Sequence, residues 1–492
     1  MIKNQPTILV YNPISGHGHL DSWNAMFIAL LLKQGWRVLA LTPDTSALLT
    51  RLARKNADLA CHPCLQVLDW DAAVSRIRFI VRFRNSLRDA WKRWDTFGDH
   101  YCYRRPGSET TPDMSFAQYG KTRLFQITVP PVFRASHFLY SRYRRARTKR
   151  SELPTDDPER DLACPVDMAR RVQAALKKAN RMPTLAFNMY MDTYRTAESE
   201  WRAFAAINKL FWAGIRFVPP AAPQEAWYTL PAWRGMCFLD ENACRAHAAV
   251  LANKCFGYLP DITETTLPDV PGTLAQEIRQ RARGRKIVFL GGSIGGQKNL
   301  ARWFELIALA NSEQWFFVQI GEIHRDTLTT EDRAALDRIQ NAPPENLLLQ
   351  AEYLPDEPAF NEVIATCDVI FAVYRNFSIS SNMLGKAAHF RKPILVSDRY
   401  LMGRRVRHYR IGLAVDETDT ASILTGLSDI VRQPVFTAES FEAYCSDFSH
   451  HVLAKNLEAF LKICCNDNTC LETLKVTANR SASGLLPRQE SI

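Results

Sequence analysis

Short apolar runs alternate with helical patterns along most of the second half of the chain. The run KIVFLG (286–291) enters a small-residue turn, GGSIGGQKN (291–299), and a helical pattern follows over 300–310. Further strand candidates lie at 315–321, 346–355, 367–374 and 411–419, and 380–398 combines a helical pattern with an apolar run. Strands that alternate with helices across short Gly- or Pro-marked turns predict a parallel, doubly wound sheet of the α/β class.

The small-residue turn after 286–291 is a candidate anion-binding site. In doubly wound sheets, ligands bind at the carboxyl ends of the strands. Phosphate groups are commonly held there by backbone N–H groups and by the N-terminus of the next helix. The sequence therefore predicts an anionic ligand near Gly291–Lys298.

The first half of the chain begins with the same order of strand, turn, helix and strand. These elements are predicted at 8–11, 15–21, 22–33 and 38–41. Two later apolar segments, 184–195 and 212–220, are also predicted to contain strands. A second sheet of the same class is therefore expected before the Pro-rich middle of the chain.

The length of the chain and a Pro-rich segment near its middle predict two domains. At 492 residues the chain is too long for one ordinary core. The segment 258–283 opens with the non-periodic, Pro-rich stretch YLPDITETTLPDVPG and is predicted to be the linker. The prediction is an N-terminal domain over 1–257, a C-terminal domain over 284–440, a helix over 441–463 and a polar, disordered tail over 464–492.

Composition is that of a soluble globular protein, with 47% hydrophobic and 23% charged residues. No run approaches the roughly 20 apolar residues of a membrane-spanning helix. The N-terminus enters a strand directly, so no signal peptide is expected and the predicted location is the cytoplasm. The twelve cysteines are scattered and lie mostly in apolar contexts, such as Cys255, Cys367 and Cys464, which favours buried free thiols. Cys61 and Cys64 form a lone CxxC with no second pair at zinc spacing, so a metal or redox role there is the less favoured alternative.

The formal net charge of +11 comes with two localised basic clusters in an insert near 70–150. Arginines and lysines over 76–93 are interleaved with Phe and Trp, and a second cluster lies at 140–150. Basic residues beside aromatic ones suit an anionic membrane surface, which would place the protein on the inner face of the membrane. A solvated helix face is the main alternative, and nucleic acid is the least favoured partner.

The motifs of the second half resemble a GT-B glycosyltransferase, specifically the group 1 (family 4-like) C-terminal domain found in sucrose synthase and bacterial polysaccharide enzymes. Gly291, Gly292 and Lys298 match the Gly-rich strand exit and downstream Lys that hold the donor phosphates, with Ser293 near the place of an Arg. The segments 368–375, 392–397 and 411–416 resemble further strands of that family. The resemblance implies two facing Rossmann-like domains, with the acceptor in the first and a nucleotide-sugar donor in the second.

One pair of family residues is missing. The family carries Glu-x7-Glu, and the second Glu binds the donor ribose, but Ser378 and Lys386 stand at those positions. An ammonium cannot accept a hydrogen bond from a hydroxyl. Either donor recognition differs here, or Lys386 meets a phosphate, or the site is degenerate. Ser380, Ser381 and Asn382 could bind the diphosphate at a helix start, or one serine could simply cap that helix.

The turn Ser15–Leu20 resembles the start of the UDP-glycosyltransferases, whose first strand ends in Gly-His. That resemblance implies that His19, or His17 one step upstream, is the general base for the acceptor hydroxyl, and imidazole has a suitable pKa. Gly16 and Gly18 would let the loop approach the acceptor closely. A histidine that merely fills the cleft is the alternative.

A few further polar residues follow predicted strands. Asp192 could orient the catalytic histidine, bind the acceptor or cap a helix, and Tyr194 is placed with the acceptor. Glu322 follows the strand at 315–321 and is assigned to the donor. Arg404 and Arg405 are either anion ligands or surface charge.

The predicted function is a glycosyltransferase that moves a sugar from a nucleotide-diphosphate donor to a hydroxyl acceptor. It is expected to need no metal and no cofactor beyond the nucleotide-sugar co-substrate, and its preferred acceptor is lipid-linked, in surface polysaccharide or glycolipid assembly. The first half resembles inverting enzymes and the second half retaining ones, so the stereochemistry stays open. Alternatives are a non-catalytic GT-B scaffold that binds sugar and an epimerase-like GT-B enzyme.

Overall fold

The computed structural model describes residues 6–15, 19–70, 163–194, 196–220, 225–352, 354, 356–432 and 436–466. Within these ranges the chain forms two parallel sheets flanked by helices, which confirms the predicted α/β fold with two doubly wound sheets. The basic insert from residue 71 to 150 and the tail from 467 onward lie outside the described residues. None of the described helices is both long and apolar enough to span a bilayer.

The first sheet is built from the described strands of the N-terminal half. They are β1 (Thr7–Tyr11), β2 (Arg37–Leu41), β3 (Leu65–Val67), β4 (Leu185–Asn188), β5 (Phe211–Arg216), β6 (Trp233–Phe238) and β7 (Cys255–Tyr258). Their order is β3-β2-β1-β4-β5-β6-β7, so the winding direction reverses between β1 and β4. β1 is buried on both faces, which explains its continuous apolar run.

The second sheet is built from the described strands that follow residue 285. They are β8 (Lys286–Gly291), β9 (Trp315–Ile320), β10 (Leu347–Gln350), β11 (Val369–Ala372), β12 (Ile394–Ser397) and β13 (Gly412–Val415). Their order is β10-β9-β8-β11-β12-β13, so this sheet reverses between β8 and β11. All of the neighbouring strands pair in parallel.

The described helices connect these strands. In the first half they are α1 (His19–Lys33), α2 (Thr45–Lys55), α3 (Ala57–Ala60), α4 (Pro165–Leu176), α5 (Glu198–Ile207) and α6 (Glu241–Val250). In the second half they are α7 (Thr273–Ala282), α8 (Leu300–Leu309), α9 (Thr330–Asn341), α10 (Glu357–Thr366), α11 (Asn382–His389), α12 (Leu401–Tyr409), α13 (Thr420–Arg432), α14 (Ala438–Asp447) and α15 (His450–Cys465). Short 3₁₀ turns lie at Met191–Thr193, Ala226–Thr229, Gly296–Lys298 and Arg325–Thr327.

The predicted linker is partly helical. Helix α7 lies inside 258–283, and its Ile278 and Ala282 belong to the apolar core of the second sheet. The irregular part is therefore 259–272, because an amphipathic helix becomes stable once its apolar face is packed. The outer limits of the two domains remain predictions.

The last helix returns to the first sheet. Leu453, Leu457 and Phe460 of α15 are buried in the core that covers one face of that sheet, together with residues of α1. The ring of Phe460 meets Phe187 of β4 edge-on, with 6.3 Å between centroids. Helix α15 also extends two residues beyond the predicted end of the C-terminal helix, and Cys464 and Cys465 belong to it instead of to a disordered tail.

A buried ionic network fixes the start of α8 beside the exit of β11. The Asp332 side chain on α9 is fully buried, pairs with Arg375 at 2.8 Å and accepts the Ala301 N–H at 2.9 Å. Arg375 also donates to the side chain of Asn299 at 2.9 Å. Burial alone would raise the pKa of Asp332, but the hydrogen bonds from Arg375, Ala301 and Thr329 outweigh it and lower that pKa.

We expect Asp332→Asn to lower the free energy of unfolding by about 3 kcal/mol, because it leaves the Arg375 guanidinium without its buried partner. Urea denaturation at neutral pH measures this loss. The matched control is Asp337→Asn on the same helix, whose ion pair with Arg325 is about half exposed. That control should cost less than about 1 kcal/mol.

The ion pair between Asp332 and Arg375 makes the free energy of unfolding depend on pH. A lowered carboxyl pKa in the folded state stabilises the protein fully above the unfolded-state pKa and loses that effect as pH falls through the folded value. The stability gap between wild type and Asp332→Asn should therefore shrink as pH falls from neutral toward about 3. A gap that stays constant over this range would contradict the assignment.

Candidate functional site

The strand order of the second sheet reverses between β8 and β11, which makes the carboxyl ends of these strands (the crevice of a doubly wound sheet) the expected ligand site. Ligands of doubly wound sheets bind at such a switch point, because the connections on its two sides leave in opposite directions. Gly291 ends β8 at this point, and Tyr374 follows β11 two residues after the strand ends. The crevice thus lies where the sequence predicts the anionic ligand.

Two glycine turns touch at the carboxyl ends of β8 and β9. Gly292 has a φ of 93° and Gly321, after β9, has a φ of 144°. A Cβ on Gly321 would lie 1.8 Å from the carbonyl oxygen of Gly292, so the two turns can touch only without a side chain there. The loops continue side by side, because Ile294 donates its N–H to the Glu322 carbonyl at 2.9 Å. Gly291, Gly292, Ser293 and Glu322 are therefore brought together, with the last two exposed.

The ammonium of Lys298 lies beside the same glycine turn. It lies in a 3₁₀ turn, is only 7% exposed, and its ammonium donates to the Gly291 carbonyl at 3.0 Å and to the Tyr374 hydroxyl at 2.7 Å. The ammonium also lies 4.1 Å from the centre of the Tyr374 ring. Among the described residues no carboxylate pairs with it, and one of its three hydrogens remains free for a ligand.

The start of α11 lies after the exit of β11. Ser381 caps this helix, with its hydroxyl accepting the Met383 N–H at 3.3 Å, and Asn382 is the first helical residue. The Ser380 hydroxyl accepts a hydrogen bond from Arg405 at 2.8 Å, and Ser378 is exposed. Ser381 therefore caps this helix, as one of the alternatives predicted. That Ser378, Ser380, Ser381 and Asn382 bind the donor stays a prediction.

Arg405 is a buried link between the two domains, contrary to the expectation of an anion ligand or surface charge. Its guanidinium donates to the Leu239 carbonyl and to Glu241, both at the junction of β6 and α6. It also lies 4.6 Å over the ring of Phe448. The neighbouring Arg404 reaches both carboxylate oxygens of Asp240 at 3.2 Å. Both arginines therefore join helix α12 to the first domain.

Lys386, which is predicted to bind the donor, makes structural contacts. Its side chain is fully buried, and its ammonium donates to the Glu264 carbonyl at 2.9 Å, to Glu357 at 2.6 Å and to the Asn361 side chain. Three donors meet three acceptors, so none is left for a phosphate. Burial lowers the pKa of Lys386, and the charges of Glu357 and Glu264 partly offset this. The residue anchors the linker to helices α10 and α11.

The first sheet has its own switch point between β1 and β4. Tyr11 ends β1 and stacks on Trp70 at 5.6 Å, and Asn188 ends β4. Tyr194 is buried nearby, and burial raises the pKa of its hydroxyl. His19 is the first residue of α1, but its side chain is not among those described, and Gly16, His17 and Gly18 lie outside the described residues.

Asp192 holds the turn after β5. Its two carboxylate oxygens accept the N–H groups of Phe217 and Val218, each at 2.8 Å. Burial raises its pKa, against the opposing effect of these hydrogen bonds and of Arg216. This cross-strand contact was not among the predictions, and the catalytic role predicted for Asp192 remains a prediction.

The residue that sequence reasoning missed at the switch point is Tyr374. It appears in the sequence only as the end of an apolar run, and nothing in that pattern says that a lysine 76 residues earlier lies against it. Among the described residues, no group of three or more His, Cys, Asp or Glu side chains gathers as metal ligands would.

Comparison with solved structures identifies the fold. A glycosyltransferase from Rickettsia africae matches 95% of this chain and 100% of its own, with a TM-score of 0.56 at 9% identity. The N-terminal domain of Candida albicans trehalose-6-phosphate phosphatase matches 94% and 98%, with a TM-score of 0.55 at 10% identity. Anabaena HepE, solved with UDP and glucose, matches 93% and 100%, with a TM-score of 0.53 at 9% identity.

The described part of the chain therefore has the GT-B fold, as predicted. At identities near 10% this likeness shows the fold alone. No protein-family model and no curated protein matches the chain by sequence.

We expect Lys386→Glu, which restores the residue type of the resembling family, to lower the free energy of unfolding by about 3 kcal/mol or more. The new carboxylate would face three acceptors and no donor. Denaturation measures the loss, and titration with nucleotide measures binding under conditions where the variant is folded. Nucleotide affinity should not rise.

The matched charge reversal is Lys462→Glu, on a side chain that is 62% exposed and paired with Glu458 one turn away. It should cost less than about 1 kcal/mol. A stable Lys386→Glu protein with tighter nucleotide binding would show instead that position 386 faces the donor.

Proposed function

We propose that this chain transfers a glycosyl group from a nucleotide-diphosphate sugar to a hydroxyl acceptor. The observation that carries the proposal is the buried ammonium of Lys298 at the switch point of the second sheet, with no carboxylate partner among the described residues. Removing such a charge from water costs several kcal/mol unless a counter-charge arrives. A diphosphate at the crevice supplies that counter-charge.

The leaving group explains why charge is needed there. When the bond between the anomeric carbon and the diphosphate breaks, the electron pair stays on the phosphate oxygen and negative charge develops next to Lys298. A fixed cation that faces this charge stabilises the transition state more than the ground state. We propose that Lys298 fills this role and that the reaction needs no metal ion.

We propose that the acceptor binds at the switch point of the first sheet, near Tyr194. In the transfer, the acceptor oxygen bonds to the anomeric carbon as the diphosphate leaves, and the hydroxyl proton passes to a base. We retain His19 as this base, with His17 as the alternative, on the resemblance of their turn. HepE and the R. africae glycosyltransferase support sugar transfer as the reaction class, since they share this fold.

A lipid-linked acceptor in surface polysaccharide or glycolipid assembly remains our proposal for the biological role. It rests on the basic and aromatic clusters of the insert, which suit an anionic membrane surface where such acceptors lie. The competing candidate is a GT-B scaffold that binds sugar without transferring it, favoured by the loss of the ribose-binding carboxylate. Release of free nucleotide diphosphate from a donor separates the two.

We expect one nucleotide diphosphate among UDP, GDP, ADP and TDP to raise the melting temperature of the protein, because a ligand that binds only the folded state stabilises it. Lys298→Met should weaken that affinity by about tenfold to a hundredfold, the range for a hydrogen bond to a charged group. Thermal shift finds the nucleotide, and calorimetric titration gives its affinity.

The matched control is Lys286→Met at the opposite end of the same strand. Lys286 is 52% exposed and pairs with Asp368. Its loss should leave nucleotide affinity unchanged. If no nucleotide shifts the wild type, or if both variants bind equally well, the donor site is not at the Lys298 crevice.

A further inference from the structure

Tyr374 is held rigidly at the switch point. It is 2% exposed, its N–H donates to the Ala372 carbonyl at 2.9 Å, and its carbonyl accepts the hydroxyl of Ser397. Its ring meets Phe377 edge-on, with 5.2 Å between centroids. Strand β11, strand β12 and the loop before α11 therefore fix where the phenol points.

The hydroxyl hydrogen of Tyr374 is not used in its contact with Lys298. An ammonium can only donate, so the contact of 2.7 Å from Lys298 makes the Tyr374 oxygen the acceptor. Within the described part of the chain, Lys298 is the one hydrogen-bond partner of this hydroxyl. The O–H hydrogen is thus free for another acceptor, and the charge on Lys298 polarises it into a stronger donor.

Two unused donors therefore lie next to each other, since the Lys298 nitrogen, which has one unused hydrogen, is 2.7 Å from the Tyr374 oxygen that carries the hydroxyl hydrogen. Both belong to buried side chains, and the pair carries one positive charge. Hydrogen bonds from charged or polarised donors are at their strongest with anionic oxygens in a site that excludes water. An acceptor with several anionic oxygens would satisfy both donors at once.

We propose that the Tyr374 hydroxyl donates a hydrogen bond to a phosphate oxygen of the donor and stabilises the leaving diphosphate together with Lys298. The inference rests on the proposed function, and it adds a residue to the same site. No proton is transferred in this step. The phenol keeps its hydrogen while the bond between sugar and phosphate breaks and the electron pair moves to the phosphate oxygen.

A purely structural role is the competing explanation. Tyr374 could serve only to hold the ammonium of Lys298 toward the crevice. Tyr374→Phe would then weaken phosphate binding through Lys298 alone, and it would do nothing when Lys298 is already absent. A double-mutant cycle separates the two roles, because it measures each side chain with and without the other.

The experiment titrates the full-length protein with inorganic pyrophosphate, which needs no knowledge of the base or sugar, and with UDP. Wild type, Tyr374→Phe, Lys298→Met and the double variant are compared by calorimetry. We expect Tyr374→Phe to weaken pyrophosphate binding about tenfold. In the Lys298→Met background the same change should still weaken binding by several-fold.

Tyr374→Phe keeps the ring and its packing, so it should fold, and its melting temperature checks this. Tyr409→Phe is the matched control. Tyr409 is the last residue of α12, away from the carboxyl ends of the strands, and its hydroxyl donates to Asp447. Pyrophosphate affinity of the control should equal that of wild type.

Three results would overturn the inference. Unchanged pyrophosphate affinity in Tyr374→Phe would show that the hydroxyl does not touch phosphate. A loss that vanishes in the Lys298→Met background would make Tyr374 a positioning residue only. Failure of wild type to bind either pyrophosphate or any nucleotide would overturn the proposed donor site itself, which is a different outcome from the first two.

Discussion

All of the described strands of the second sheet run parallel, so each loop that leaves a carboxyl end arrives at one edge. This constraint assembles the candidate site from segments that are far apart in sequence. The loops after β8 and β9 touch through Gly292 and Gly321, and Lys298 reaches Tyr374 beyond β11. Ser397, at the end of β12, then holds the Tyr374 carbonyl. An antiparallel sheet would send alternate loops to opposite edges and could not gather these groups.

In this domain, the partners of a buried cation indicate whether the cation is structural or can bind a ligand. Burying a charge costs several kcal/mol, so each buried cation needs compensation. Lys386 has it from Glu357 and two further acceptors, and Arg405 has it from Glu241, a carbonyl and a hydroxyl. Among the described residues, Lys298 has a carbonyl and a phenol as acceptors and no carboxylate. By this comparison Lys298 is the cation whose surroundings are incomplete without an anion.

The sequence was sufficient for the fold because its signal is local. Buried parallel strands need continuous apolar runs, and the runs at 286–291 and 315–321 match β8 and β9 almost to the residue. The small-residue turn was predicted for the same reason, since glycine at positive φ is a local requirement. Helix α7 was missed because its stability comes from packing on the second sheet, which the Pro-rich context of the linker does not reveal.

The contacts of individual site residues could not be predicted from the sequence, because they join distant segments of the chain. Lys386 was placed with the donor by alignment, but its ammonium bonds to Glu264, which lies 122 residues earlier. Arg405 joins Leu239 across 166 residues, and Asp192 holds a turn 25 residues ahead of it. The sequence pattern shows that such a side chain is charged, but it does not show which residue the side chain contacts. The partner decides whether that charge is structural or available.

The lack of a carboxylate partner for Lys298 among the described residues also bears on whether this site meets a diphosphate. A scaffold that never meets a diphosphate gains nothing from a buried ammonium, since an apolar side chain of similar length would pack there without the cost of desolvation. Local features that oppose stability without evident compensation are expected at functional sites, where a ligand supplies what the fold lacks. The loss of the ribose-binding carboxylate weakens one end of donor recognition. The described residues keep the glycine turn, the cation and the helix start, which in the proposed reaction would face the charge developed in transfer.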